Sequence, residues 1–578
     1  MAEAVRDPVL MEVIRNELEA LAEEMCIAVR RAARSPMVKI GDFAATLCDE
    51  RGRGIGVGSQ NMMTPLFIMQ VKRLMQHYGA GIAPGDVYIM NDPYAGGSHL
   101  PDVLVVTPMF RHERLAGFAV IYSHHTDMGG RFAGSQSGQC TNAFEEGVRF
   151  PLLRLYERGR RNADLVTLLV ANVRSPEDCL GDLDAKVAGG WKATQALGAM
   201  LDRYGFDAYA DCCDHLNELS QRQVREAIRA IPDGDYGAAV ELADDGLGPL
   251  EQGLPIRVTL RVRADRLQVD FTGTSAQARG GVNMPFENVR GVVVSTLREL
   301  LAPDAPLNDG LMDAIEVSSP PGTLTNPNWP AATGGRAPVF FLTDEVLHRA
   351  LSVAAPERVP VPREAWDVMH LTARTTDGRM GALQDLFSGG WGARPNGDGI
   401  DAVAQSSTVT LPVELLEREF PVVVERFEML ADTGGPGCHR GSMGILRRFR
   451  YLDEGHVMVR TNRLRPSSGL AGGRPGEVGG NVLNGTPLRR IAFEHFHARP
   501  GDVLEHRVAG SGGYGDPFER DPAAVLRDVC EERVSAERAL RDYGVAVVAD
   551  GHVGWRVDAA ATAQARRRDR RDAAGAGH

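Results

Sequence analysis

Two short stretches concentrate the residues best suited to hold a metal ion. They are Asn91-Asp-Pro-Tyr-Ala-Gly-Gly-Ser-His-Leu-Pro-Asp102 and Ser123-His-His-Thr-Asp-Met-Gly-Gly130. Together they offer His99, Asp102, His124, His125 and Asp127, which are imidazoles and carboxylates with no thiolate. That donor set suits Zn2+, Mn2+ or Fe2+, and three or four protein ligands leave a position open for water or substrate. A lone histidine is more often a hydrogen-bonded structural residue. Five donors gathered at the ends of two predicted strands favour a metal centre instead. Side chains alternate along a strand, so only one of His124 and His125 ligates. The other supports the first ligand or touches substrate. The Gly96-Gly97 and Gly129-Gly130 pairs allow close backbone approach.

Other constellations are weaker. Residues 52–58, Gly-Arg-Gly-Ile-Gly-Val-Gly, resemble a phosphate loop but sit inside a predicted hairpin and open no helix, so they read as a turn. The chain has neither a G-x-x-x-x-G-K-[ST] loop nor a G-x-S-x-G elbow. Asp270 to Ser275 reads as a capped turn. Glycine loops at 433–437 and 510–516 read as backbone geometry. Arg460, Arg463 and Arg465 suit either anion recognition or a solvated strand edge.

The elements that must position the first two stretches are legible. Asp7-Pro8 caps a helix over 7–34 with apolar residues at helical spacing, ended by Ser35-Pro36. Phe43–Leu47 and Ile55–Val57 form a hairpin, and 64–78 a second helix. Val87–Met90, Val103–Val106 and Phe118–Tyr122 are short apolar strands. Residues 150–230 are helix-rich, 235–275 strand-forming, and 288–302 and 342–354 helical. The region from about 400 to 516 is rich in strand and glycine, and 521–543 forms a terminal helix. The fold class is mixed α/β (α+β), in a large multi-domain chain. Expected regions are 1–230 (helical, with the metal site), 231–400 (central α/β), 401–516 (glycine-rich β) and 517–578 (terminal helix and a peripheral or disordered Arg-rich tail).

Composition sets limits. Lys+Arg number 64 and Asp+Glu 76 among 578 residues, a net charge of −12, which argues against nucleic-acid binding. No apolar run is long enough to span a bilayer, and the start lacks a signal-peptide layout. The eight cysteines are scattered without CxxC spacing, the pattern of reduced thiols in a cytoplasmic protein.

Taken together, the motifs resemble the hydantoinase B family. These are the B-type subunits of N-methylhydantoinases, 5-oxoprolinases and caprolactamase, related to acetone and acetophenone carboxylases. The matching segments are NDPYAGGSHLPDV at 91–103, SHHTDMGG at 123–130, NVRSPEDCLGDLDAKVA at 172–188, PDGDY at 232–236, VDFTGTSAQ at 269–277, NPNWPAATGG at 326–335, GLAGGRPG at 469–476 and SGGYGDP at 511–517. Departures are Met128 where the family usually has Ile, residues 336–347 lacking the usual polar run, AGSGGYG in place of an all-glycine loop, and Ser467-Ser468 in place of prolines.

The resemblance implies one divalent metal, Zn2+ or Mn2+, held by Asp42, His99, Asp102 and His124, with the choice of Asp42 and of His124 over His125 coming from the family. It implies a hetero-oligomer with an A-type partner that binds ATP and Mg2+, in keeping with the missing phosphate loop here. The expected activity is ATP-dependent opening of a cyclic amide (hydantoin, oxoproline or a lactam), with His125 or Asp127 accepting the proton of water. A ketone carboxylase subunit and a non-catalytic scaffold are the alternatives. A length of 578 residues fits the hydantoinase-type subunit better than the longer acetone carboxylase type.

Overall fold

Asp7 accepts hydrogen bonds from the amides of Val9 and Leu10, and Pro8 takes the first helical position, so α1 (Pro8–Ala32) begins where the sequence places its cap. The computed structural model describes residues 7–57, 63–403, 409–489, 491–551 and 554–575; Gly58 of the glycine-rich turn lies outside them. The order continues through α2 (Pro36–Lys39), β1 (Phe43–Asp49), β2 (Gly54–Val57), α3 (Thr64–Tyr78), β3 (Val87–Met90), β4 (Asp102–Arg111), β5 (Arg114–His124), β6 (Leu153–Glu157) and β7 (Arg160–Arg161). Next come α4 (Ala163–Asn172), α5 (Pro176–Arg229), β8 (Gly234–Asp244), β9 (Pro249–Arg263), β10 (Arg266–Asp270), α6 (Phe286–Leu301), α7 (Asp309–Met312), β11 (Ile315–Ser318) and α8 (Ala337–Ala354). By internal contacts the chain divides into two units. One is Met1–Ala350 with His370–Gln384 and Ser406–Leu411; the other is Leu351–Met369 with Asp385–Gln405 and Pro412–His578.

The first unit is built on a seven-stranded antiparallel sheet in the order β2-β1-β5-β4-β3-β6-β7. The side-chain period of two divides this sheet into two faces. Phe43, Ala45, Leu47, Ala119 and Ile121 face a core shared with α1 and α5, and Val103, Val105, Val87 and Ile89 continue it toward α4 and α5. Tyr122 points the other way, where its ring stacks on Phe67 of α3 at 3.9 Å. A second sheet, β11-β10-β9-β8, follows in the same unit, with the parallel pair β10–β11.

Helix α5 approaches the sheet closely through Gly189 and Gly190. A Cβ on Gly190 would lie 2.8 Å from Thr107 Cβ and closer still to its hydroxyl. Alanine gains about 1 kcal/mol over glycine in a helix interior. Overpacking a filled contact costs about 1–3 kcal/mol. Gly190→Ala is therefore expected to destabilise the protein by about 1 kcal/mol. The check is the urea midpoint, and a raised midpoint would show that α5 moves off the sheet without cost.

In the second unit the glycine segments interlock. Gly435 N donates to Ser511 O, Leu470 N to Gly513 O and Gly513 N to Arg474 O. A Cβ on Gly513 would meet the main chain of Pro436, so the backbone-geometry reading of these loops stands. Arg460 and Arg463 do not line a solvated edge: both are buried, and Arg463 pairs with Glu364 at 2.9 Å. The single helix expected over 521–543 is two, Pro522–Cys530 and Ala536–Tyr543, parted where Glu532 takes φ +57°. Ser535 caps the second by accepting from Arg538 N, a restart signal that the apolar spacing hides. The Arg-rich end contributes to a further helix, Ala559–Gly575. None of the eight cysteines, all of them among the described residues, is in a disulfide, as the scattered spacing suggests.

Candidate metal centre

β4 begins at Asp102 and β5 ends at His124, and the antiparallel register sets these two residues directly opposite each other. β1 pairs with β5 so that Phe43 faces Ser123, and the His124 amide donates to the Asp42 carbonyl at 3.0 Å. His99 comes from the loop between β3 and β4. Asn91 shapes that loop: its amide nitrogen donates to Leu100 O (2.7 Å) and Val148 O (3.0 Å), and its oxygen accepts from Phe150 N (2.6 Å). Gly97 is required here, because a Cβ would meet the Asn91 carbonyl oxygen at 2.7 Å.

These elements bring three ligand atoms together. His99 Nε2 lies 3.3 Å from His124 Nδ1 and 3.3 Å from Asp102 Oδ1, and His124 Nδ1 lies 3.0 Å from Asp102 Oδ1. Ligands about 2.0–2.1 Å from a tetrahedral Zn2+ stand about 3.3 Å apart. The spacing therefore fits an ion of that size, and all three residues are buried. Burial, with the nearby Arg336 charge second, lowers His99 to about 3, so the imidazole is in its neutral ligand form. Burial opposes ionisation of Asp102, but His99, His124 and Arg336 outweigh it and hold the carboxyl well below the usual range.

An outer layer orients the histidines. His99 Nδ1 is 3.3 Å from Gly334 O, and a proton held there leaves Nε2 free to ligate. His124 Nε2 is 2.7 Å from Gln136 Nε2 and 3.0 Å from Gln384 Oε1, an oxygen that also accepts from Gln136 Nε2 at 3.0 Å; a proton on Nε2 donated to Gln384 leaves Nδ1 free to ligate. Gln384→Leu removes this acceptor and is expected to weaken metal binding about 10–100-fold without unfolding the chain. Equilibrium dialysis checks this; unchanged affinity would mean that Gln384 does not orient His124.

The remaining expected residues lie elsewhere. Asp42 flanks the three-residue group, and its charge acts on Tyr122 and Arg336. The structure does not bring His125 or Asp127 to the converging atoms. Strand alternation turns His125 to the opposite face, where Nε2 lies 2.8 Å from Lys186 Nζ and Nδ1 3.3 Å from Cys179 Sγ. Burial, then the Lys186 charge, keeps His125 well below its ordinary value, and burial pushes Lys186 down to about 7. Asp127 is occupied as a loop clamp. Oδ1 accepts from the amides of Gly129 and Arg174 at 2.9 Å; Oδ2 accepts from Gly134 N at 3.0 Å and Arg174 Nη1 at 2.8 Å.

Three residues at the site carried no signal in the motif reading: Arg336, Gln384 and Glu146. Arg336 Nη2 donates to Asp102 Oδ2 at 3.1 Å and to Ser98 Oγ, and its Nε donates to Asn288 Oδ1 at 3.2 Å. Its one sequence cue is that it directly follows the 326–335 match. Glu146 accepts from Thr333 N at 2.7 Å and Gly334 N at 2.5 Å, bracing the segment whose carbonyl holds His99. Burial raises Glu146 to about 7 against those hydrogen bonds.

Solved proteins share this fold over nearly the whole chain. Nucleotide-free acetone carboxylase, described by its solvers as carrying out ATP-dependent acetone carboxylation, matches with a TM-score of 0.87 at 20% identity, covering 99% of this chain and 84% of that one. The ATP-dependent caprolactamase of Pseudomonas jessenii matches with a TM-score of 0.87 at 27% identity, covering 98% and 100%. The chain belongs to the hydantoinase B/oxoprolinase family, whose sequence pattern matches residues 7–517. A putative B-type subunit of a D-/L-hydantoinase from Pseudomonas sp. strain NS671 is 30% identical over 94% of this chain and 95% of that protein.

Proposed function

We propose that this chain is the metal-bearing B-type subunit of an ATP-dependent enzyme that opens a cyclic amide. Its partner is an A-type subunit that binds ATP and Mg2+. The observation that carries the reading is the convergence of His99 Nε2, Asp102 Oδ1 and His124 Nδ1 within 3.0–3.3 Å. The relative named as a D-/L-hydantoinase component and the caprolactamase likeness support the substrate class. Asp42, whose main chain adjoins His124, is proposed as the fourth protein ligand.

His99, Asp102, His124 and Asp42 would hold a Zn2+ or Mn2+ ion, which would supply Lewis-acid chemistry and ease the ionisation of water near neutral pH. The rest follows from the chain's own groups and the substrate. Amide resonance makes a cyclic amide a poor electrophile. Transfer of a phosphoryl group from ATP to its oxygen, in the partner, removes that resonance and creates a leaving group. One water then adds at the ring carbon and the ring C–N bond opens, freeing the amine and leaving an acyl phosphate, and a second water cleaves this to the carboxylate and inorganic phosphate. Gly334 and Gln384 keep both imidazoles aimed at the cluster. Lys186 ties the ends of β4 and β5 by donating to Val103 O at 2.9 Å and meeting His125. Asp127 holds residues 129–134. Proton acceptance by His125 or Asp127 requires each to leave these partners, so they are proposed as positioning groups. Thiols outside disulfides and a need for ATP fit a cytoplasmic assembly.

The experiment combines the purified chain with its A-type partner, ATP and a panel of hydantoins, oxoproline and lactams. It measures ring opening alongside phosphate release. Phosphate release that depends on bicarbonate and a ketone, with no ring opening, overturns the hydrolase reading in favour of the carboxylase one that the shared acetone carboxylase fold raises. A pure scaffold role is disfavoured, because a buried carboxylate among buried histidines is costly to retain without use.

A further inference from the structure

We infer that Arg336 binds an oxyanion carried by the reacting substrate beside the metal cluster, which makes it a substrate-contacting residue as well as a partner of Asp102. This rests on the cyclic-amide reading above. Arg336 is 8% exposed. A guanidinium offers five N–H groups in a planar fork. Its Nε and Nη2 serve Asn288, Ser98 and Asp102. Among the described residues, Nη1 has no hydrogen-bond partner. It shares its carbon with the nitrogen that holds Asp102, so an acceptor it receives lies next to the ligand group.

Charge favours the same occupant. The carboxylates of Asp102 and Asp42 act on Arg336. A divalent ion and the guanidinium together exceed those two carboxylates by one positive charge while Glu146, the third carboxyl acting on Arg336, keeps its proton, and the site is then complementary to an anion. A charged oxygen of a carboxylate or a phosphoryl group accepts a stronger hydrogen bond from Nη1 than a neutral carbonyl does. The oxyanion has two possible sources, a carboxylate substituent on the ring or the phosphoryl group on the activated amide oxygen.

The test loads the full chain with Mn2+ and follows binding of inorganic phosphate and of acetate by the paramagnetic relaxation of their 31P and 13C signals. The wild type is compared with Arg336→Gln and Arg336→Lys, with Mn content and melting recorded for each. The expected result is binding by the wild type and loss of about tenfold or more in Arg336→Gln at unchanged Mn content, the decade expected for one charge-assisted hydrogen bond. Arg336→Lys, which keeps charge but not the fork, falls between and serves if the glutamine variant does not fold. Tighter phosphate than acetate assigns the activated amide; the reverse assigns a ring carboxylate. Absent binding in the wild type overturns the inference. So does equal binding in wild type and folded variants, or loss of Mn from a folded variant, which would make Arg336 a brace for Asp102 alone. Anion binding that depends on Arg336, with no cyclic amide opened alongside partner and ATP, overturns the cyclic-amide reading and leaves the Arg336 assignment standing.

Discussion

His99→Ala is expected to empty the metal centre and abolish turnover while the chain still folds and meets its partner. His99 supplies one of three convergent ligand atoms. Loss of outer-layer partners alone typically costs 10–100-fold in metal affinity or activity, so loss of a ligand costs more than about 100-fold. His99 is the cleaner position to change than Asp102. Burial keeps its imidazole neutral, so its removal strands no charge. Removing Asp102 would leave the buried Arg336 guanidinium without its carboxylate, at a cost of about 3–5 kcal/mol. Asp102→Ala is therefore expected to lose stability as well as metal. Metal per chain by mass spectrometry, beside size-exclusion of the mixture with the A-type subunit, decides between outcomes. Full metal in His99→Ala would mean that the ion sits elsewhere. Lost metal with full activity would revive the scaffold reading.

Glu146→Gln is expected to remove a pH dependence from folding. Burial holds Glu146 near 7 in the folded chain, above its ordinary 4.5. Between about pH 4.5 and 7 the folded state keeps this proton and the unfolded state releases it. The folded state binds more protons there, so stability falls as pH rises through that window and the loss is complete above pH 7. A shift of this size corresponds to about 3 kcal/mol. Glutamine keeps an oxygen for the amides of Thr333 and Gly334 and carries no charge. The variant should match the wild type near pH 4.5 and exceed it at pH 8. Lys186, held near 7 below its ordinary 10.5, acts in the opposite sense and over a higher window, where stability rises with pH. That contribution is common to both proteins and cancels in their difference. Urea midpoints at pH 5 and pH 8 in the presence of chelator check the expectation. Equal pH slopes for the two proteins would show that Glu146 is ionised throughout.

Much of the centre was legible before the fold was known. Apolar runs at 87–90, 103–106 and 118–122 predict strands, and the structure has β3, β4 and β5 there. Period-two alternation then requires His124 and His125 to face opposite ways, as they do. These readings depend only on steric rules within a few residues of the chain. Asp42 and the preference for His124 came instead from the family resemblance, because a single acid before a strand has no distinctive spacing.

Tertiary structure alone decided what surrounds the ligands. Asp127 has the residue type of a ligand or base, yet Arg174, 47 positions later, engages it as a clamp. Arg336 reaches Asp102 across 234 positions, and Gln384 reaches His124 across 260. Isolated polar residues carry no periodicity that announces such partners. Burial, which moves His99 to about 3 and Glu146 to about 7, likewise exists only once distant segments have packed. The sequence by itself determined which atoms could bind a metal and which strand ends carry them. Long-range packing determined which of those atoms converge, because the choice depends on contacts that local propensity does not encode.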